Sequence, residues 1–378
     1  MAQPQSDPPP SDVPTAVRSL RGACYASFAY DIGAAIDLDG AERRLTSAAR
    51  ERMQHRRRAP AHFAIQPAPI RTARPVEPIA VAQCVASPLV DVVLYDFGAA
   101  LVTFQIPLEG ELELLLEVSD ALYDNQALLA ASHSALESIL ETIRPAVSRP
   151  NISDLVEDYF IFQIETAEPP LTPESLLAER RELVARVLRS ERGRLSTDEV
   201  NDALAVRTSF RPDDLALIDY NAALLLDREA EDVRAVLEFA NVELLEMRYL
   251  DRQLDAALNR ATRGPWTGGL GRLHSTRTAM RRVAEMQMDA ARLFEEVNNA
   301  LKLLGDVYLA RVYRLVSQRL HLAEWDASIL RKLEALESIY QKISDRQATL
   351  RMELLEWIII ILIAVSIAVS LIPGLTGH

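Results

Sequence analysis

Glu238, Asn241, Glu246, Arg248 and Asp251 crowd the single stretch Val236–Asp251, and their types and spacing come nearest to chemistry in this chain. On a helix, Glu238, Asn241 and Val242 share one face, with Glu246 a turn beyond Val242. Carboxylates so placed could ligate a pair of metal ions. That chemistry needs a Glu-x-x-His pair from each of two helices, and no such pair is present. Interhelical hydrogen bonds and salt bridges account better for the cluster. The alternative is an enzyme or regulatory module with a site between two halves of the chain, built on Glu238, Glu246 and Arg248.

The six histidines, at 55, 62, 133, 274, 321 and 378, form no ligand spacing. His321, between Leu320 and Leu322, reads as a packed helix residue. Gly268–Arg272 has glycines but no preceding strand and no following Lys-Ser, so it is a turn and not a phosphate loop. G-x-S-x-G and H-E-x-x-H are absent from the sequence. No enzyme, cofactor or metal is expected. Asp219, Tyr220 and Asn221 interrupt an apolar helix and call for hydrogen bonds in a core. Cys24 and Cys84 lack metal or redox spacing and read as small buried hydrophobes in a reducing compartment. Arg50, Arg52, Arg56, Arg57 and Arg58 form a basic cluster that suits anionic lipid or RNA, or else a solvated helix end. No aromatic interleaves with them, which weakens the RNA reading.

The elements that must position these groups fall into two halves. Ser19–Tyr30 reads as a strand, Asp37–Met53 as a helix capped by Asp39, and Leu89–Ile106 as a hairpin broken at Asp96-Phe97-Gly98. Glu109–Leu122 and Ala127–Ile143 read as helices, and Tyr159–Ile164 as a further strand. This order predicts an α+β N-terminal domain on a largely antiparallel sheet. Beyond Pro169-Pro170 the period becomes 3.6, with helices over Pro173–Arg189, Thr197–Arg207, Asp213–Asn259 with room for breaks, and from Leu273 to the membrane, again with room for breaks. Arg263–Leu273 is the breaker at which two long helices fold back. The formal charge of −13 is concentrated: residues 89–168 alone carry a net −13, against +3 for 1–88 and −3 for 169–378. An acidic segment disfavours phosphate and suits a basic partner.

A heptad seam runs through Leu336, Tyr340, Ile343, Gln347, Leu350 and Leu354, preceded by Leu322, Ile329 and Leu333, with Asp326 as a polar slot. It packs either on Asp213–Asn259 or on a second copy. The seam leads into Trp357–Ile372, which carries no charged residue. Trp357, Ile358, Ile361, Ile363, Val365, Ile367 and Leu371 are there read as a transmembrane helix ended by Pro373-Gly374. Lys342, Arg346 and Arg351 before the span place the body in the cytoplasm, or in the matrix if the membrane is an organelle's. The resulting division is a disordered lead at 1–18, an α+β domain at 19–168, a helical domain at 169–320, a coiled-coil stalk at 321–356 and the transmembrane helix at 357–372. The fold class is therefore α+β followed by a long-helix, coiled-coil-like all-α region ending in one C-terminal transmembrane helix.

Arg351–Ile372 after a coiled stretch resembles the C-terminal signature of the required-for-meiotic-nuclear-division family. Leu155–Glu165, Asp213–Asp227, Val236–Asp251 and Asp306–Gln341 share that likeness, which covers roughly residues 85–372. The resemblance implies a membrane protein with an α+β domain and a helical region ending in the span. Eukaryotic members are associated with mitochondria, where an animal member of the inner membrane supports translation by tethering or stabilising ribosomes; bacterial relatives have no settled activity. Without a presequence, the expectation is a bacterial inner membrane instead of a mitochondrial one. The function expected is a tail-anchored scaffold that holds its body at the membrane to bind a protein or ribosomal partner, with homo-oligomerisation through the stalk left open.

Overall fold

Strand β1 (Ser19–Asp31) is buried without interruption from Ala23 to Asp31. A strand buried on both faces belongs in the middle of a sheet with a covering layer on each side. The computed structural model describes residues 19–49, 67–263, 280–291, 293, 295 and 306–371. After β1 come β2 (Ala35–Ile36), α1 (Leu38–Ala49), β3 (Ile70–Pro75), β4 (Ala80–Val81), β5 (Cys84–Val85), β6 (Leu89–Leu94) and β7 (Ala99–Gly110). Next are α2 (Leu114–Leu122), α3 (Gln126–Ile143), β8 (Val147–Ser148) and β9 (Val156–Glu168). Three short helices follow, α4 (Pro173–Glu179), α5 (Arg181–Arg189) and α6 (Thr197–Ala203), then β10 (Arg207–Thr208), β11 (Leu215–Ile218) and β12 (Ala222–Leu226). The long helices are α7 (Glu231–Arg263), α8 (Val307–Arg319) and α9 (Leu322–Leu371), and 280–291 are also helical.

The chain divides into two units. The first holds residues to Tyr249 together with Ala291–Trp325, and the second holds Leu250–Ala290 with Asp326 onward. In the first unit an eight-stranded sheet runs in the order β10-β11-β12-β9-β1-β7-β6-β3. All neighbours are antiparallel except β9 and β12, which are parallel. Period-2 alternation sends Cys24, Ala26, Phe28 and Tyr30 of β1 to one face, where they join Phe104, Phe160 and Phe162 in the main core under α1 to α6. Phe28 meets Phe104 and Phe160 edge-on, at centroid distances of 6.0 and 6.4 Å. Tyr25, Ser27 and Ala29 point the other way, toward α7 and α8, as the packing of Tyr95 on Phe239 shows for the same face. The result is three layers: helices, sheet, helices.

Local sequence fixes the joints. Asn125 accepts from Leu128 N to start α3, Thr172 and Ser175 form a capping box on α4, and Ser196 and Asp306 cap α6 and α8. At the start of α1 the backbone N–H groups of Gly40 and Ala41 reach Asp37, its side chain and carbonyl respectively, so Asp37 stands where Asp39 was expected. Gly98 turns β6 into β7 at φ +104°, and a Cβ there would lie 1.8 Å from the Gly33 carbonyl oxygen.

Several expected boundaries move. The helix expected over Glu109–Leu122 begins at Leu114, because Glu109 and Gly110 still pair with β1. Pro173–Arg189 is two helices meeting at Arg180. The first part of Asp213–Asn259 is not helical: Leu215–Ile218 and Ala222–Leu226 form a β-hairpin around Asp219-Tyr220-Asn221. Both strands are buried throughout, so their apolar residues show no alternation, and a continuous apolar run does not distinguish strand from helix. Since β12 pairs with β9, the sheet crosses the boundary expected at residue 168. His321 is an exposed residue at φ 56° between α8 and α9, not a packed helix position.

The second unit is helical. Its buried residues are Leu250, Leu254, Ala257 and Ala261 of α7, then Val283, Met286 and Ala290, then Ile329, Leu333 and Leu336 of α9. Lys332 bridges Asp251 at 2.7 Å and Asp255 at 2.6 Å, tying α9 to α7. The upper seam is therefore packed within the chain. Tyr340 and Ile343 are half-buried, whereas the side chains of Gln347, Leu350 and Leu354 lie outside the described residues.

The expected transmembrane helix is not supported: among the described residues no helix is long and apolar enough to cross a membrane. Within the described residues the uncharged stretch runs from Trp357 to Leu371, where the described helix stops. From Trp357 that is about 22 Å at ~1.5 Å per residue, short of the ~30 Å hydrocarbon core. Residues that would lengthen it, Ile372 onward, lie outside the described residues, and Glu356 interrupts it on the other side. Stalk and span are one helix, in which Trp357, Ile358, Ile361, Ile363, Val365 and Ile367 are exposed. The tail-anchored scaffold and its inner-membrane placement, with a cytoplasmic body and bacterial rather than mitochondrial setting, lose their basis with the span. The lead at 1–18, the Arg50–Arg58 cluster and most of the Arg263–Leu273 turn lie outside the described residues.

Candidate functional site

The polar groups of this chain gather where α7 crosses the second face of the sheet. Alternation along β9 puts Glu157, Tyr159, Ile161 and Gln163 on that face, so a carboxylate is carried into the interior. Asn241 Nδ2 donates to the Glu157 carbonyl at 3.2 Å, and Arg248 Nη1 donates to Glu157 Oε1. Trp325 lies 5.9 Å from the Arg248 guanidinium, a cation–π distance. Burial pushes the Glu157 carboxyl above the usual glutamate value, and the Arg248 charge pulls it partly back.

Further along the same helix, Glu238 faces Arg71 of β3 at 4.0 Å. Burial drives the Tyr95 phenol well above its ordinary value. Glu243 accepts from Tyr313 Oη of α8 at 2.6 Å. Arg234 sits 3.7 Å above the Tyr25 ring. Beneath them Ser27 and Thr103, cross-strand partners on β1 and β7, share a 3.0 Å hydrogen bond.

A second network lies at the hairpin turn. Asp219, fully buried, accepts a hydrogen bond from Arg319 Nε at 2.8 Å on Oδ1, while Arg189 Nε makes an ion pair with Oδ2 at 2.8 Å without hydrogen-bond geometry. Both arginines also reach Asp202, Arg189 at 2.5 Å and Arg319 at 2.6 Å. The hydrogen bond from Arg319 holds the Asp202 carboxyl below the usual aspartate value. Tyr159 Oη donates to the carbonyls of Asp219 and Ala222 at 3.0 and 3.2 Å, which fixes the turn to β9.

Of the residues singled out from sequence, Glu238, Asn241 and Arg248 do line this layer. They do not form one constellation: Arg248 and Asn241 meet Glu157, while Glu238 turns toward Arg71. Glu246 is half-buried on the same helix, and Asp251 belongs to the second unit, where it meets Lys332. Glu157, Arg71, Glu243 and Tyr313 were missed. The signal for Glu157 was available as an acid in an alternating apolar strand; Arg189 and Arg319 meet Asp219 across 30 and 100 residues, with no local trace. Chemically, Glu157, Glu238 and Glu243 of this layer are each held by an arginine or a tyrosine. Among the described residues no group of three or more His, Cys, Asp or Glu could hold a metal ion. Cys24 and Cys84 are free thiols, and burial raises both above the ordinary thiol value.

A family model described as the N-terminal domain of the uncharacterized protein MJ0711 matches residues 21–232. This stretch contains most of β1, every later strand of the sheet and the start of α7. The uncharacterized protein MJ0711 of Methanocaldococcus jannaschii is 22% identical over 237 residues, covering 62% of this chain and 72% of that one. No solved structure matches. These findings overturn the resemblance to the required-for-meiotic-nuclear-division family. Its most specific part lay in the C-terminal third, beyond the matched residues, where apolar and heptad patterns recur in unrelated helices. The chain belongs to the family defined by the MJ0711 N-terminal domain.

Proposed function

We propose that this chain is a non-catalytic assembly protein that associates with further copies of itself through the exposed end of α9. The observation that carries the reading is the run Trp357, Ile358, Ile359, Ile360 and Ile361, each between 44% and 65% exposed. Consecutive residues on a helix point in every direction, so this end is apolar around its whole circumference. Covering each such side chain is worth roughly 1.5–3 kcal/mol, so leaving the run in water is costly. A two-helix seam covers one stripe only; a circumference needs a bundle of more than two copies. The absence of catalysis is supported by the carboxylates between sheet and α7, which are already held by Arg248, Arg71 and Tyr313.

Sedimentation velocity on the full chain tests this against the double variant Ile359→Glu, Ile363→Glu. The expected result is an assembly larger than a dimer that falls to monomer in the variant. A monodisperse monomer at tens of micromolar would refute the reading. So would a chain that floats with phosphatidylcholine vesicles as a monomer.

A further inference from the structure

Phe210 is 70% exposed and Val307 is 78% exposed, both in the first unit and far from the apolar end of α9 in sequence. Single exposed apolar side chains are ordinary on a protein surface, but here Phe210 stands on a fixed loop against Tyr308, the residue next to Val307. Two hydrogen bonds fix the loop: Asp214, buried, accepts from Phe210 N at 2.7 Å and from Arg211 N at 2.9 Å. The Phe210 ring leans on Tyr308 of α8 at 5.4 Å, leaving the rest of its surface in solvent.

Arginines flank this loop in sequence and line the solvent face of α8. On α8 the buried residues are Leu309, Val312, Tyr313 and Val316, so helical spacing puts Val307, Arg311, Arg314 and Gln318 together on the opposite, solvent face. Arg207 of β10 precedes the loop and Arg211 follows Phe210 directly. Arg207, Arg311 and Arg314 are exposed and have no ion-pair partner among the described residues. Arg211 is shared with Asp213, Asp214 and Asp227. All four cations are arginines, whose planar fork matches a phosphate in two hydrogen bonds.

We infer that this surface binds single-stranded nucleic acid, with one base stacked on Phe210 and the backbone phosphates on Arg207, Arg311 and Arg314. An exposed ring beside unpaired guanidinium groups is the combination by which single strands are held without sequence readout. The chain as a whole is acidic, which confines binding to a short strand on this patch. Asp213, 84% exposed beside Arg211, is the opposing charge at its rim.

Fluorescence anisotropy of the full chain with a labelled oligo(rU) of about 12 nucleotides tests the inference. Binding should weaken with salt, and Arg311→Gln with Arg314→Gln should reduce the log–log slope by about 1.4, since each phosphate left without its arginine takes away ~0.7 on a single strand. Phe210→Ala should weaken binding by roughly 5-fold or more at every salt concentration, because the base then has no ring to stack on. Asp213→Asn should tighten it. Phe210 and both arginines are exposed, so these variants keep the fold, and unchanged thermal melting checks that. The inference is overturned by no binding at low salt, by an unchanged affinity in Phe210→Ala, or by polyglutamate competing as well as oligo(rU) per unit charge. The last result would assign the patch to acidic protein.

Discussion

Replacing Asp219 by alanine removes a buried anion that two arginines share. Its side chain is 1% exposed, while those of Arg189 and Arg319 are 29% and 16% exposed, so neither guanidinium can turn fully into water when it goes. Asp202, 54% exposed, remains to neutralise one positive charge of the two. Breaking a buried pair by deleting one partner typically costs ~3–5 kcal/mol, because the remaining charge stays desolvated. Here the residual Asp202 contact argues for the lower end, about 3 kcal/mol. For a unit of this size that lowers the melting temperature by on the order of 10 °C. Urea unfolding followed by tryptophan fluorescence reads it, since Trp325 lies in the same unit. The reference is Arg21→Ala with Glu109→Ala, a 3.0 Å pair with both side chains more than 70% exposed, expected to cost less than ~1 kcal/mol. In an Arg189→Met, Arg319→Met background the Asp219→Ala change should cost markedly less, because no cation is then stranded. A cost below ~1 kcal/mol in the native background, or the same cost in both, would refute the idea that this network holds α5, α8 and the hairpin turn together.

Asp326 is half-buried, and burial lifts its carboxyl to about 6. A raised folded-state value means stability is highest below the unfolded aspartate value and falls as pH rises toward 6. Asp326→Asn should remove that decline and melt higher than the native chain at pH 7, readable by circular dichroism across pH 4–7. Gly98→Ala sets a Cβ against the Gly33 carbonyl at a positive φ. It should destabilise the first unit by roughly 2 kcal/mol or more, and an unchanged urea midpoint would show that the β6–β7 turn can relax.

The sheet was half legible in the sequence. β1, the β6–β7 hairpin and the centre of β9 announce themselves because aromatic and β-branched residues cluster there and Asp-Phe-Gly breaks the run. The β11–β12 hairpin did not, because Leu-Ala-Leu-Ile and Ala-Ala-Leu-Leu-Leu favour helix locally and both faces are buried. Pairing with β9 in parallel register overrides that propensity, a long-range contact that no window of sequence contains. The polar layer shows the same divide. Glu238, Asn241 and Arg248 are visible as a cluster on one helix, but what each of them meets is decided by β3 and β9, 80 to 170 residues earlier.

The C-terminal helix departs from its sequence expectation for a different physical reason. Charge-free composition measures how badly a stretch tolerates water, not what relieves it. In α9, Ile329, Leu333 and Leu336 are relieved inside the second unit, where Lys332 is held by Asp251 and Asp255. From Trp357 the same helix is apolar on every side and relieved by nothing among the described residues of the chain. Between the two lie Lys342, Asp345, Glu353 and Glu356, a charged collar too polar to join either. Folding of the unit and covering of the end are therefore separable: Leu336→Ala, which opens a cavity in the packed part, should cost about 2–4 kcal/mol of stability without changing the assembly's size. Ile359→Glu with Ile363→Glu should do the reverse. If either variant changed both quantities together, the helix would be one cooperative interface and the collar would divide nothing.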